Sequence, residues 1–236
     1  SRGLGKSIAL HFSKNNIIPV ITYSNSKIDA KKVFDKVSEN IEHASVYHLN
    51  ISSRASVRRL LRNVIKKYGK IDILVNNAGI NQRCDFFEIN DNDWDELMKV
   101  NLKGPFIMTQ EALPLMKPHS RIINISSVAG QYHGPTTVHY AVSKAALNSL
   151  TKATARYASN KSIYINAIAP GIILTDQTKS QFKSGAASKI IRETQLIKRP
   201  GEIIELISAI DFLCDPNQRY MTGQIIALSG GAILDN

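Results

Sequence analysis

Short apolar runs alternate along the chain with longer stretches in which apolar residues recur at helical spacing. Residues 17–23 (IIPVITY) are apolar and rich in β-branched side chains, which is typical of a strand buried on both faces. Between residues 27 and 40, Ala30, Val33 and Val37 share one face of a predicted helix. The other predicted strands are 45–49, 71–75, 121–126, 163–168 and 224–228, and the other predicted helices include 53–67, about 93–116, 138–157 and 202–213.

This alternation predicts the fold class. Strands separated by helices of such length need crossover connections, so we expect an α/β fold: a single doubly wound Rossmann domain, mostly parallel, with helices on both faces of the sheet. We find no repeat, low-complexity stretch or linker, so residues 1–236 are predicted to form this one domain. Residues 176–199 are polar and basic and contain no predicted strand, and we expect an inserted lid over the substrate.

The chain opens on glycines that lead directly into a helical pattern. Arg2, Gly3, Leu4 and Gly5 stand at the start of this helix. Glycines at a helix N-terminus let the backbone approach a phosphate, and the helix dipole favours the negative charge. In a dinucleotide-binding fingerprint a strand precedes this turn, so we expect about ten further residues before Ser1, which supply that strand and an earlier glycine.

The charge is large and unevenly distributed. The chain carries 30 Lys and Arg against 19 Asp and Glu, a formal net charge of +11. Residues 1–70 hold 14 bases and 4 acids, residues 112–199 hold 12 and 2, and residues 85–96 hold six acids and no base. A basic surface attracts nucleic acid, acidic proteins, phosphorylated cofactors or membranes, so charge alone leaves the partner open.

Several classes of protein are disfavoured by composition. Cys84 and Cys214 form no CxxC pair and the histidines form no HxxxH pair, so we expect neither a disulfide scaffold nor a metal site. No apolar run approaches the ~18 residues of a membrane span. Isolated cysteines suit a reducing compartment, and we expect the cytoplasm or another soluble reducing compartment. Any targeting peptide would lie before Ser1, outside the sequence.

The candidate catalytic residues lie in the second half of the chain. Tyr140 and Lys144 are four residues apart on a predicted helix, so their side chains project from one face. Ser127 follows the strand 121–126, and ligands of open parallel sheets bind beyond the carboxyl ends of strands. An ammonium group stabilises a nearby phenolate, and a serine hydroxyl can hold a carbonyl oxygen while Tyr140 donates a proton to it. The spacing also occurs by chance on exposed helices, so it needs independent support.

The order of motifs along the chain gives that support. NNAG (76–79) follows a strand, Asn101 lies in VNLKG, Ser127 lies in NISSVAG, and Tyr140 and Lys144 lie in YAVSK; PG (170–171) and TGQIIALSGG come later. In these motifs the whole chain resembles the short-chain dehydrogenases/reductases. Within that family it is most like the 3-oxoacyl-acyl-carrier-protein reductases, on the stretches SRGLG, VNLKGPF, RIINISSVAG, INAIAPG and YMTGQ.

The resemblance implies a role for each candidate catalytic residue. Tyr140 is the general acid for reduction or the base for oxidation, and Lys144 lowers the pKa of Tyr140 and binds the nicotinamide ribose. Ser127 orients the substrate carbonyl, and Asn101 holds a water molecule that links Lys144 to solvent. Hydride comes from the nicotinamide cofactor.

The predicted cofactor is NADPH (NADP+), with NADH less favoured. The strand that ends before Ser24 is followed by no carboxylate to bind the adenosine ribose, and Arg2 can meet a 2′-phosphate. By the resemblance, the other cofactor-binding residues are Gly3, Leu4, Gly5, Ser24, Asn50, Ile51, Asn77, Ala78, Gly79, Tyr140, Lys144, Pro170, Gly171, Ile173 and Thr175, with Ile173 and Thr175 at the nicotinamide.

The resemblance also suggests a substrate and a partner. The expected reaction is reduction of a 3-oxoacyl thioester in fatty-acid synthesis, with acidic acyl carrier protein as a partner of the basic surface. Lys161 lies where such reductases have a basic docking residue, and Lys117 lies near another. The loop before Tyr140 departs from their pattern at His133, Thr137 and His139, of which His139 is expected to face outward.

Alternatives remain open. A dehydrogenase of a sugar, polyol, steroid or other small alcohol fits the same motifs. A non-catalytic protein that binds nucleotide or nucleic acid fits the charge, but no nucleic-acid-binding signature supports it. The family resemblance implies a homodimer or homotetramer.

Overall fold

The strands lie close to their predicted positions. The computed structural model describes residues 3–132, 137–175, 178, 182 and 185–234. Its strands are β1 (Val20–Tyr23), β2 (Ser45–His48), β3 (Ile73–Asn76), β4 (Arg121–Ile125), β5 (Tyr164–Pro170) and β6 (Ile225–Leu228).

The helices connect the strands in the expected order. Ser53 caps the third helix as its position suggests, because its side chain accepts a hydrogen bond from the Ser56 N–H. The helices are α1 (Gly3–Lys14), α2 (Lys27–Ser38), α3 (Arg54–Tyr68), α4 (Asp91–Met98), α5 (Gly104–Ala112), α6 (Ala129–Tyr132), α7 (Val138–Ser159), α8 (Ala186–Thr194) and α9 (Ile203–Cys214), with short 3₁₀ helices at Phe86–Glu88 and Leu113–Leu115.

All strand pairs of the described residues are parallel. β1 pairs with β2, and the other strands form a second sheet in the order β3-β4-β5-β6. No strand ladder within the described residues joins the two sheets, so the predicted single sheet is present in two parts. Helix α1 contacts both parts, since its Ile8 packs in one apolar cluster with β3 and its Ala9 packs in another with Ile21 of β1.

The four-stranded sheet is buried on both faces. Ile122 of β4 packs with α3, α5 and α7, whereas its neighbour Ile123 packs with α1 and α9. Successive side chains of a strand point to opposite faces, so the sheet separates two apolar cores. This arrangement confirms the predicted α/β fold with helices on both faces.

The helix predicted at about 93–116 is interrupted. A π-helix at Lys99–Lys103 separates α4 from α5, and its closing hydrogen bond runs from the Gly104 N–H to the Lys99 carbonyl. The Lys99 carbonyl also accepts a hydrogen bond from Ser52 Oγ at 3.2 Å. This segment contains Asn101, and π-turns inside α-helices are frequent at functional sites.

Part of the proposed lid lies within the described residues. Helix α8 forms there, and the chain after it is held by hydrogen bonds from the Leu196 and Ile197 N–H groups to the Gly230 carbonyl. Among the described residues, no helix is long and apolar enough to cross a membrane.

Candidate active site

The carboxyl ends of β3, β4 and β5 meet at one edge of the sheet. Asn77 follows β3, Ser127 lies two residues after β4, and Gly171 follows β5. The loop after β4 contacts the end of β5, since the Val128 N–H donates to the Pro170 carbonyl at 3.1 Å, and α7 contacts the end of β4 through the hydrogen bond from Lys144 Nζ to the Ile125 carbonyl at 2.8 Å. The motifs that are separated in sequence therefore converge where ligands of parallel sheets bind.

Tyr140 and Lys144 occupy one face of α7, as predicted from their spacing. The Nζ of Lys144 lies 5.7 Å from the centroid of the Tyr140 ring. Ser127 is hydrogen-bonded to Tyr140, and its Oγ also accepts from the Ala129 N–H at 3.1 Å. The structure therefore brings two hydroxyl groups and one ammonium group together.

Burial dominates the electrostatics of this trio. It raises the pKa of Tyr140 above its ordinary value, and the hydrogen bond with Ser127 acts in the opposite direction. Burial also lowers the pKa of Lys144 to about 8. The lysine is thus still mostly protonated at neutral pH, but in an environment that penalises its charge.

Asn101 is fully buried and orients the loop after NNAG. Its Oδ1 accepts from the Ile80 N–H at 2.8 Å, and its Nδ2 donates to the Ile80 carbonyl at 2.9 Å. The second Nδ2 hydrogen goes to Ser143 Oγ, 3.1 Å away. Asn101 therefore connects the π-helix to both the NNAG loop and α7.

Gly130 and Ser126 help to position α7, although no sequence pattern marks either residue for this role. A Cβ at Gly130 would lie 2.7 Å from the carbonyl carbon of Lys144 and 2.7 Å from the amide nitrogen of Ala145, so α6 packs directly on the backbone of α7. Ser126 Oγ donates to Asn148 Oδ1 at 2.6 Å and thereby joins the end of β4 to α7. The close approach at Gly130 explains why glycine ends the NISSVAG motif. This requirement becomes evident only from the tertiary packing.

The N-terminus of α1 lies beside the NNAG loop. A Cβ at Gly5 would lie 2.8 Å from Asn77 Nδ2, so the absence of a side chain permits this contact. Gly3 has φ of +50°, a conformation that favours glycine. Leu4 packs into the core with α9, and Arg2 lies outside the described residues.

At its other end, the NNAG loop packs against Asn101 and Lys144. A Cβ at Gly79 would lie 3.4 Å from Asn101 Oδ1 and 3.5 Å from Lys144 Nζ. Ala78, between Asn77 and Gly79, lies in the same loop after β3. The NNAG loop therefore lies between the N-terminus of α1 and the helix α7, which carries Tyr140 and Lys144.

The predicted adenosine-side residues follow β1 and β2. Ser24 is exposed just after β1, and its hydroxyl donates to Asn25 Oδ1. Asn50 is exposed and accepts a hydrogen bond from the Ser52 N–H. Ile51 packs against the first residue of α5, since a Cβ at Gly104 would lie 2.9 Å from Ile51 Cγ2.

The predicted nicotinamide-side residues behave differently from one another. Pro170 ends β5, and a Cβ at Gly171 would lie 3.1 Å from the Ser229 Cα. The side chain of Ile173 is buried in the core with α9. The Thr175 hydroxyl accepts a hydrogen bond from the Thr178 N–H and closes a short turn.

The expectation that His139 faces outward is wrong. Its side chain is fully buried, and neither ring nitrogen has a hydrogen-bond partner among the residues that the structure describes. The reason is that α7 contacts α4, the π-helix, α6 and β5, so its first turns are enclosed on several sides. His133 lies outside the described residues, and Thr137 immediately precedes α7. Among the described residues, no cluster of three or more histidine, cysteine or acidic side chains is placed to hold a metal ion.

The chain is similar to known proteins over nearly its full length. A family model described as Enoyl-(Acyl carrier protein) reductase matches residues 1–232. The 3-oxoacyl-[acyl-carrier-protein] reductase of Staphylococcus aureus is 32% identical over 237 residues, which covers 98% of this chain and 94% of that protein. The Thermotoga maritima 3-oxoacyl-[acyl-carrier-protein] reductase is 34% identical over 238 residues, with the same two coverages of 98% and 94%.

Solved structures show the same similarity. A short-chain dehydrogenase from Burkholderia cenocepacia in complex with NADP superposes with a TM-score of 0.91 at 26% identity, covering 98% of this chain and 94% of that one. A short-chain dehydrogenase/reductase variant from Serratia marcescens gives a TM-score of 0.90 at 28% identity with the same coverage. The chain belongs to the short-chain dehydrogenase/reductase family of oxidoreductases.

Proposed function

We propose that the protein is an NADPH-dependent ketone reductase whose substrate is a 3-oxoacyl thioester. The observation that carries the proposal is the hydrogen-bonded pair of Ser127 and Tyr140 beside the buried ammonium of Lys144, at the carboxyl edge of the sheet. Two hydroxyl donors at one point are suited to a carbonyl oxygen, which gains negative charge as it is reduced.

Each residue of this group has a distinct task. Ser127 donates a hydrogen bond that orients the carbonyl oxygen, and Tyr140 transfers its phenolic proton to the same oxygen. Bound NADPH supplies the hydride. Lys144, when protonated, favours the phenolate left on Tyr140. The side-chain amide of Asn101 is engaged by Ile80 and Ser143, so the water molecule proposed to return a proton from solvent towards Lys144 would bind the backbone of Asn101.

The residues present fit a dinucleotide. Gly5 and Gly79 allow the first turn of α1 to pack on Asn77 and the NNAG loop to pack on Asn101 and Lys144. This packing brings a helix N-terminus, which is suited to a phosphate, next to the loop that contacts Lys144. Preference for the 2′-phosphate rests on the absence of a carboxylate just after β1, where Ser24 and Asn25 stand, and on the exposed Lys27. NADPH should support turnover at least tenfold better than NADH, compared at equal concentrations; stronger use of NADH would overturn this preference.

The thioester substrate is supported by the 3-oxoacyl reductases at 32–34% identity. The direct test is oxidation of NADPH at 340 nm with acetoacetyl-CoA as a surrogate thioester. Crotonyl-CoA serves as the matched control, because it offers a carbon–carbon double bond in place of the ketone. Turnover of crotonyl-CoA alone would overturn ketone reduction, and turnover of sugars, polyols or steroids alone would support an alcohol dehydrogenase instead.

An acidic carrier protein is proposed to hold the 3-oxoacyl chain while it is reduced, but the two expected docking residues lie at the other edge of the sheet from Tyr140. Lys117 and Lys161 precede β4 and β5, on loops joined by a 2.7 Å hydrogen bond from the His119 N–H to the Ser162 carbonyl. Tyr140 acts at the carboxyl ends of the same strands, so a carrier bound at these lysines would face the opposite edge of the sheet. The test compares acetoacetyl carrier protein with acetoacetyl-CoA at low and high salt; a salt-sensitive advantage in kcat/KM for the carrier supports docking, and equal values refute it.

We propose a homodimer or homotetramer. Trp94 of α4, Phe106 of α5 and Val142 of α7 are 36%, 39% and 38% exposed, which leaves apolar surface on neighbouring helices. Light scattering at assay concentration decides between a monomer and an assembly. A monomeric mass with full turnover would refute this part of the proposal.

A further inference from the structure

A chain of buried hydrogen bonds connects three elements of the candidate site. It starts at the Ile80 backbone after the NNAG loop, passes through the Asn101 side chain in the π-helix, and reaches Ser143 on α7. Ser143 Oγ then donates to the Tyr140 carbonyl at 2.7 Å. Asn101 and Ser143 are both 0% exposed, so water does not compete for these bonds.

The direction of every bond in this chain is fixed by its end groups. A backbone carbonyl can only accept, so the single Ser143 proton goes to Tyr140 and the Ser143 oxygen is left to accept from Asn101. On the other side, the Ile80 N–H can only donate, which fixes the Asn101 oxygen towards it and the Asn101 nitrogen towards the Ile80 carbonyl. The amide therefore has one orientation in which all its groups are satisfied.

We propose that Ser143 is a positioning residue that holds Asn101, and through it the NNAG loop, against the catalytic turn between Tyr140 and Lys144. This inference rests on the proposed reductase function and names a residue that acts through Asn101. In an α-helix the carbonyl of residue 140 also accepts the N–H of residue 144. The Ser143 hydroxyl and the Lys144 N–H therefore share one acceptor, the Tyr140 carbonyl.

Loss of the hydroxyl has a specific consequence. In Ser143→Ala one hydrogen of the Asn101 amide is buried without an acceptor, which costs about as much as a hydrogen bond. The amide can regain a partner only by rotating, and rotation breaks its bonds to Ile80. Rotation of the amide also changes the distance between the NNAG loop and α7, because Asn101 Oδ1 and Lys144 Nζ are the atoms nearest to the Cβ position of Gly79.

The same helix offers a matched control. Thr151 is also 0% exposed, its hydroxyl donates to the Leu147 carbonyl at 2.8 Å, and it accepts from Asn124 Nδ2 at 2.8 Å. Asn124 belongs to β4 and accepts a hydrogen bond from Asn76 Nδ2 at 2.8 Å, so this second chain reaches the end of β3 without passing through Asn101. Thr151→Val therefore removes a buried hydroxyl that also bonds to one backbone carbonyl and one asparagine amide, but it leaves the hydrogen bonds of Asn101 in place.

The test is a double-mutant cycle between Ser143 and Asn101, measured on kcat/KM for a ketone that the wild type reduces and on the Kd for NADPH. We expect Ser143→Ala to lower kcat/KM about tenfold in the wild-type background and less than about twofold in the Asn101→Ala background. NADPH affinity should show the same non-additivity. Thr151→Val should keep kcat/KM within about twofold of wild type. Ser143→Cys, a milder change with a weakly accepting sulfur, should fall between serine and alanine.

Each outcome decides the inference. Additive losses in the two backgrounds, an equal loss in Thr151→Val, or full activity in a folded Ser143→Ala or Ser143→Cys variant would overturn it. NADPH binding without reduction of any ketone by the wild type would overturn the proposed function alone, since the cycle on Kd still tests Ser143. A wild type that binds no NADPH would overturn both.

Discussion

Replacing Lys144 by methionine should abolish turnover and yet stabilise the cofactor-free protein relative to wild type as the pH falls. Methionine keeps an unbranched apolar side chain but carries no charge. Burial lowers the pKa of Lys144 from its ordinary value of 10.5 to about 8. The unfolded chain therefore binds a proton between these two pH values that the folded protein does not bind.

The size of the effect follows from this gap. The wild type gains stability as the pH rises from about 8 to 10.5, because the cost of burying the charge disappears as Lys144 loses its proton. Each pH unit across the gap is about 1.4 kcal/mol, so the whole gap corresponds to about 3 kcal/mol. The hydrogen bond from Lys144 Nζ to the Ile125 carbonyl is lost in the variant at every pH, and it offsets part of the gain.

The assay is urea unfolding followed by circular dichroism at several pH values between 7 and 10.5. The free energy of unfolding of Lys144→Met minus that of wild type should decrease by about 3 kcal/mol across this range. Subtraction removes the other titrating groups that the two proteins share. Lys152→Met, at an exposed lysine of the same helix, is the control and should give a difference that stays constant with pH. A constant difference for Lys144→Met as well would refute the reasoning.

The remaining predictions concern neighbouring positions. Tyr140→Phe should reduce kcat by at least about 10²-fold while NADPH still binds, because only the transferable proton is removed; wild-type turnover in steady-state assays would contradict this. Gly130→Ala should destabilise the protein by about 1–3 kcal/mol, measured by urea unfolding, because its Cβ would meet backbone atoms of α7. Gly5→Ala should weaken NADPH binding about tenfold, measured by cofactor fluorescence, since the added methyl displaces Asn77; an unchanged Kd would show that the α1 turn does not contact the cofactor.

The proximity of Ser127, Tyr140 and Lys144, the candidate catalytic trio, could be predicted because local sequence patterns mark each of the three residues. The position of Ser127 follows from the end of a strongly apolar strand, and four-residue spacing on a helix places Tyr140 and Lys144 together. Parallel pairing then brings strand ends to one edge of the sheet. These rules need no detailed knowledge of packing, which is why the strands and this part of the site agree with expectation.

Positions governed by tertiary packing could not be predicted in this way. The outward orientation expected for His139 failed because α7 is enclosed by several elements, so its faces cannot be divided simply into buried and exposed. Ile173 follows β5 by three residues, at the edge of the sheet where the candidate site lies, and its side chain packs in the core. Gly130 approaches the backbone of a helix that comes later in the chain, a contact that no local pattern encodes.

The π-helix at Lys99–Lys103 changes the direction in which the side chains of α5 point relative to those of α4. An α-helix turns by about 100° per residue, so a single wide turn rotates everything after it by about that angle relative to an uninterrupted α-helix. Leu97 before the turn and Ile107 after it are both buried with this rotation in place. A deletion of one residue in the segment would restore a regular helix, but it would force a choice between burying the apolar residues of α5 and keeping the Asn101 amide against Ile80. The length of this segment is therefore as strongly constrained as the identity of the residues within it.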